Sequence, residues 1–200
     1  MPPQNPDQSP TSDPKPARYE YPATEFDSKP TRALTASPNR FGILLTISAA
    51  VILLDRFTKH IIIHRLGAAG PHTIIPGFLR ITNVRNTGAA FSMFAESASP
   101  ATVRHALILF SLVAVCIVFF MLLRAGRTIN LTSIALALIL GGAIGNVYDR
   151  IRYHYVVDFI EVHIIHYHWP DFNVADSCIV IGACLLLIEI FRPQPENQIS

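Results

Sequence analysis

Four apolar runs, each close to the length of a membrane-crossing helix, are what most constrains this chain. They predict spans at about 42–63, 103–123, 131–148 and 173–191. A helix needs about 20 mostly apolar residues to cross the hydrocarbon core. Backbone groups find no water there, so only helices or closed barrels span a bilayer. Charged residues make up 15% of the 200 and hydrophobic ones 50%, against roughly 25% charged in ordinary soluble domains. The expected fold is therefore an all-α membrane protein with four transmembrane helices. A net charge of +2, with no basic stripe interleaved with aromatics, argues against a nucleic-acid partner.

The regions between and around these runs differ in kind. Residues 1–40 hold nine of the fifteen prolines and show no apolar period, so they read as a disordered tail preceding a membrane domain at 41–192 and a short tail at 193–200. The first apolar run is span-length and contains Asp55 and Lys59, unlike a cleaved secretory signal, and is read as a retained helix. Cys116, Cys178 and Cys184 all lie in apolar runs without disulfide or zinc spacing and read as small buried hydrophobes. Residues 72–94 are β-like: Thr73-Ile74-Ile75, a Pro76-Gly77 turn, then a partly alternating segment from Phe78 to Val84. They suggest a small sheet on one membrane face. Ser99 followed by Pro100 looks like the start of the second helix. The short second-to-third connection carries Arg124 and Arg127, which favours both termini on the cytoplasmic side.

Parity organises the polar residues. With four spans, the end of the first, the start of the second, the end of the third and the start of the fourth share one face. The first carries Asp55 and Lys59 near its end, the following loop Asn86-Thr87-Gly88, the third Asn146, Asp149 and Arg150, and the fourth opens with Asn173 and Asp176. Asp55 and Lys59 at i,i+4, acid first, suit an ion pair. Asn146, Asp149 and Arg150 share one helix face. A carboxylate at the edge of hydrocarbon, like Asp176, is costly and so a functional candidate. Asp158, in Tyr155-Val156-Val157-Asp158-Phe159-Ile160, belongs to a strand or an interfacial segment. The chain must fold back to bring it to Asp176. Two carboxylates in one restricted site suit acid–base hydrolysis, because they favour sharing a single proton.

Plainer readings stand beside these. Asp55 and Lys59 read as a structural anchor, Asp149 as a capping or paired carboxylate, and Asn146 and Arg150 as helix–helix hydrogen bonds or interfacial snorkelling. The Gly141-Gly142 pair and Gly145 suit close helix packing. His154, His163, His166, His168 and Asp171 lie near one another in sequence, yet their spacing is loose and no HExxH pattern occurs, so they read as surface histidines and no metal or other cofactor is expected. A small proton- or ion-coupled transporter is the alternative, since such proteins also hold intramembrane Asp, Arg and Asn; the gathering of polar groups at one face and the lack of an inverted repeat count against it.

Five segments together resemble the lipoprotein signal peptidases, the type II signal peptidases of bacteria. They are Asp55-Arg56-Phe57-Thr58-Lys59, the run from Val84 through Arg85-Asn86-Thr87-Gly88-Ala89-Ala90-Phe91 to Ser92, Gly141-Gly142-Ala143-Ile144-Gly145-Asn146 through Asp149-Arg150, Val156-Val157-Asp158-Phe159, and Phe172-Asn173-Val174-Ala175-Asp176. They occur in the family's order over about residues 42–191. The resemblance implies an inner-membrane aspartic endopeptidase with a small extracytoplasmic β-rich subdomain, which cuts before the diacylglyceryl-modified cysteine of a prolipoprotein. By motif, Asp158 and Asp176 take the places of the catalytic dyad. Asn86, Gly88, Asn146, Arg150 and Asn173 take substrate-binding or site-supporting positions, and Asp55, Lys59 and Asp149 structural ones. The implied partners are the diacylglyceryl-prolipoprotein, membrane lipids and globomycin-type inhibitors, acting on a monomer. The family's first motif more commonly reads Asp-Gln where this chain has Asp55-Arg56, and the Pro-rich tail is an addition to the family core.

Overall fold

The protein is described by a computed structural model covering residues 40–66, 70–88 and 99–192. All but Arg40 of the expected N-terminal tail, residues 89–94 of the β-like stretch and the tail at 193–200 lie outside the described residues. Four helices are long and apolar enough to cross a membrane: α1 (Phe41–Leu66), α2 (Pro100–Ala125), α3 (Leu131–Arg152) and α4 (Val174–Phe191). Four strands complete the described fold: β1 (His72–Ile75) and β2 (Leu79–Asn86) between α1 and α2, and β3 (Val156–Ile164) and β4 (Tyr167–Phe172) between α3 and α4.

The helix starts follow local chemistry. Ser99 caps α2 by accepting from the Thr102 amide at 3.2 Å, as its place before Pro100 predicts. Asn130 and Ser133 form a capping box at α3, and Asn173 and Asp176 form one at α4. Such boxes satisfy backbone donors that a helix start leaves open.

Helix α3 is the hub, packing against each of the other three. Leu44, Leu122, Leu136, Ala137 and Leu140 form a core where α1, α2 and α3 meet, and Ser48 Oγ donates across it to the Ala137 carbonyl at 2.8 Å. Two glycines on α3 permit a still closer approach. A Cβ on Gly142 would lie 2.4 Å from the Ala175 carbonyl oxygen, and one on Gly145 would lie 2.8 Å from Asp55 Oδ2. Small residues let backbones meet where lipid offers no hydrophobic drive for association. Outward faces are strongly apolar, with Leu109, Phe110, Ile117 and Phe120 exposed on α2.

Those outward faces correct the reading of the cysteines. Cys116 and Cys184 are exposed and Cys178 is half-buried, all as free thiols. A position facing lipid demands the same apolar character as one in a core, so composition alone does not separate the two.

The strands form one antiparallel sheet in the order β1-β2-β3-β4. The Pro76-Gly77 turn joins β1 to β2 as expected, with Gly77 at φ 72°. The sheet is larger than the 72–94 stretch suggests, because residues 156–172 supply its other half. The second strand of the β3–β4 hairpin is not marked in the sequence, because His166-Tyr167-His168-Trp169-Pro170 shows no clean alternation. Val157 and Phe159 turn one face of β3 against Ile62 of α1. Two irregularities adjust the register. Between Ile81 and Val84, β2 carries one more residue than β3, and between Trp169 and Phe172, β4 carries one more than β3. The second bulge contains Pro170, which has no N–H to give a ladder.

Candidate active site

Asp158 reaches its position through strand register. Val84 lies opposite Asp158 and Asn86 opposite Val156, so Asn86 shares the face of the sheet on which Asp158 projects. Asn86 Nδ2 donates to Asp158 Oδ2 at 2.9 Å. Its own Oδ1 accepts from the Gly88 amide at 2.9 Å, and Gly88 takes φ 82°, a conformation that favours glycine. The turn thereby fixes which end of the Asn86 amide faces the carboxylate.

Asp176 reaches the same place through a helix start. Its amide donates to Asn173 Oδ1 at 2.9 Å while its Oδ2 accepts the Asn173 amide at 3.2 Å. With Oδ1 and the backbone thus engaged, the Asn173 side-chain nitrogen is free to donate elsewhere. It donates to Asp158 Oδ1 at 2.7 Å and to Asn146 Oδ1 at 3.3 Å. Asn146 Nδ2 in turn donates to Asp176 Oδ1 at 2.7 Å. Asp158, Asn173, Asn146 and Asp176 therefore form one hydrogen-bonded chain, and every oxygen of both carboxylates accepts at least one N–H. Both aspartates line a cavity of about 650 Å³ whose walls include Val162, Ile164, Trp169, Phe172, Val180 and Ile181.

Behind this chain sits a buried ionic cluster. Lys59 Nζ lies 2.9 Å from Asp55 Oδ2, 2.8 Å from Asp149 Oδ2 and 3.2 Å from Asn146 Oδ1. The Arg56 guanidinium adds a second cation 2.6 Å from Asp149 Oδ1 and stacks over the Tyr148 ring. Two acids and two bases thus balance in a region where Asp55, Lys59 and Asp149 are almost fully buried. A buried charge left unpaired is strongly destabilising. Arg56 thereby supplies the second positive charge that balances this cluster. Asp55 Oδ1 also accepts the Ala175 amide at 3.2 Å, and Asp149 Oδ2 accepts the Val157 amide at 3.3 Å.

Burial first, and the nearby Asp176 charge in addition, push the Asp158 carboxyl up to about 6 against the opposing hydrogen bonds from Asn86 and Asn173. Arg150 projects toward the same region, with Nη1 3.4 Å from the Asn146 carbonyl and its charge acting on both aspartates. The arrangement offers two coupled carboxyl groups, amides that hold them, and one nearby cation, facing an apolar groove.

All ten residues singled out from the sequence meet in this region: Asp158 and Asp176 on the cavity, Asn86, Asn146 and Asn173 bonded to them, Gly88 and Arg150 one step away, and Asp55, Lys59 and Asp149 behind. Sequence reasoning missed the groove walls, because Trp169, Val180 and Ile181 look like ordinary membrane residues. It also missed that Glu161, His163 and His168 come together while His154 and His166 stay outside their group; only the strand register reveals that.

Residues 47–192 match the sequence profile of the family described as signal peptidase (SPase) II. The chain is 40% identical over 150 residues to a lipoprotein signal peptidase of Solibacter usitatus, covering 74% of this chain and 90% of that one. It is 39% identical over 163 residues to one of Burkholderia mallei, covering 80% and 96%. A solved bacterial membrane enzyme superposes with a TM-score of 0.62 at 29% identity, covering 80% of this chain and 95% of the other.

Proposed function

The chain belongs to the signal peptidase II family, and from that premise we propose that it is an aspartic endopeptidase using Asp158 and Asp176 to remove the signal peptide from lipoprotein precursors. One observation carries the aspartic reading: both carboxylates line one cavity and are joined through Asn173 and Asn146. Two carboxyl groups so coupled hold one proton between them, since ionising both in a partly desolvated site is unfavourable. The ionised member takes a proton from a water, which attacks the scissile carbonyl. The protonated member hydrogen-bonds the carbonyl oxygen and then supplies a proton to the leaving amine.

The amides of Asn86, Asn146 and Asn173 each donate to a dyad oxygen, which keeps the reacting groups aligned without adding charge. The apolar groove beside the dyad suits a substrate whose cysteine carries diacylglyceryl chains, with Val162, Ile164 and Val180 along the wall. Arg150, held against the Asn146 carbonyl, adds a positive charge that acts on both dyad carboxylates. The same reading places the membrane domain at 41–192 in the inner membrane as a monomer, with both termini cytoplasmic and the sheet outside. It also makes the groove the seat of globomycin-type inhibitors.

The test is cleavage of a lipidated proprotein by the purified protein in detergent. Asp158→Asn and Asp176→Asn should each lower turnover by at least about 10²-fold, the usual reach of a positioned acid–base group, with folding unchanged. Normal cleavage by both variants would sink the aspartic assignment.

A further inference from the structure

The β3–β4 hairpin has two faces with different chemistry. Asp158, Val162, Ile164 and Trp169 turn toward the groove. Alternation sends Glu161 and His163 to the opposite face, and register sets His168 directly across from His163. There, one carboxylate oxygen and one nitrogen from each imidazole lie within 4.8 Å of one another. His163 Nε2 is 3.2 Å from Glu161 Oε1, and His168 Nε2 hydrogen-bonds the same oxygen, a contact that an ion between them would open.

We propose that Glu161, His163 and His168 form a binding site for a divalent ion of the zinc type, which clamps the hairpin from behind the groove. Four features carry the inference. The donors are two imidazoles and a carboxylate, a set that zinc takes in open three-ligand sites. The 3.2 Å separation of His163 Nε2 from Oε1 matches the edge of a tetrahedron with metal–ligand bonds of about 2.0–2.1 Å, which is roughly 3.3 Å. His163 Nε2 is buried and forms no hydrogen bond despite facing that oxygen, as a nitrogen directed at an ion rather than at a proton acceptor would. Arg80 Nε lies 3.3 Å from the other oxygen, Glu161 Oε2. It orients the carboxylate with Oε1 toward the two imidazoles, as partners behind a ligand do in built metal sites.

Glu161 itself is 7% exposed, so its charge is held in place by the fold. Asp171, on the β4 bulge, has its Oδ1 buried without a hydrogen-bond partner. Because the site lies on the face away from Asp158, the ion takes no part in peptide hydrolysis; it joins two strands that are otherwise linked by a short turn and interrupted by a bulge.

The test uses the full chain without added histidines, freed of metal by a chelator, in detergent. Zn²⁺ alone is titrated calorimetrically, and hydrogen exchange is followed over residues 156–172. One equivalent should bind and slow exchange in the hairpin. The double substitution His163→Gln/His168→Gln should weaken binding by at least about tenfold, the size of loss seen even for residues behind a ligand. The pair His60 and His64 on α1, whose ring centroids lie 4.2 Å apart, is the competing site, and His60→Gln/His64→Gln should leave binding unchanged. If the first double variant fails to fold, His168→Gln alone, at an exposed position, repeats the measurement. No uptake by the unaltered protein, or uptake that survives loss of His163 and His168, overturns the proposal.

Discussion

The Ala175 amide donates to Asp55 Oδ1 at 3.2 Å, so a carboxylate of the first helix holds the fourth helix directly before Asp176. Asp149 does the same for β3, accepting the Val157 amide directly before Asp158 at 3.3 Å. Lys59 bridges the two acids. The residue preceding each site aspartate is thus tied to one ionic cluster, and the separation of the aspartates is set from behind.

Removing the bridge should be costly. Lys59→Met leaves two buried carboxylates facing one remaining cation, and breaking a buried pair this way costs about 3–5 kcal/mol. Thermal unfolding in detergent should show that loss, and Asp55→Asn added to Lys59→Met should recover part of it. A double variant as unstable as Lys59→Met alone would show that Lys59 does not balance Asp55.

Asn173 has two separable duties. Asn173→Ala removes the helix cap, worth about 0.5–2 kcal/mol, together with the donor to Asp158. Asn173→Asp keeps a capping oxygen but replaces that donor with a second negative charge. Both variants should lose turnover; the Ala variant should lose the stability of the cap, and the Asp variant at neutral pH should lose more, because its carboxylate is buried against Asp158 with no added cation. Equal turnover in Asn173→Asp and the unaltered protein would remove Asn173 from the site.

Two glycines, one at a close helix approach and one in open space, predict unequal responses. Gly142→Ala sets a Cβ 2.4 Å from the Ala175 carbonyl oxygen, which forces a backbone shift costing about 1–3 kcal/mol. The shift moves the residue beside Asp176, so kcat should fall as well. Gly42→Ala, with nothing within 4 Å of the added carbon, should be neutral or slightly stabilising. Paired melting curves and turnover assays check both.

The Asp158 carboxyl is raised from 3.8 to about 6, mainly by burial. A raised value means that the folded state disfavours the carboxylate. The contribution to stability is full below pH 3.8 and lost as pH rises through about 6. At about 1.36 kcal/mol per pH unit, the difference is on the order of 3 kcal/mol. Asp158→Asn, which stays neutral, should therefore gain stability relative to the unaltered protein between pH 4 and pH 8. Parallel unfolding curves at the two pH values, with no change in their difference, would contradict the burial of this group.

Much of this architecture was readable from residue order. Apolar length is a local property, so the four spans follow from composition within each window, and parity then assigns Asp55, Asn146, Asn173 and Asp176 to one end of the bundle. The capping boxes at Asn130 and Asn173 are also local, since their partners lie three residues away. Lipid-facing and core-facing positions were not separable, as the exposed Cys116 and Cys184 show, because both environments select apolar side chains.

What only the tertiary structure decided depends on register and on helix approach. A strand's hydrophobic pattern does not reveal its partner, so the bulge that puts Asn86 beside Asp158, and the pairing of His163 with His168, appear only once β2, β3 and β4 are aligned. The chain from Asp158 through Asn173 and Asn146 to Asp176 likewise requires α3 and α4 to meet as closely as Gly142 and Gly145 allow. Sequence determined which groups share a face of the membrane, because hydrophobicity acts along the chain. The fold decided which of them touch, because hydrogen bonds and ion pairs are short-ranged and are set by packing between segments far apart in sequence.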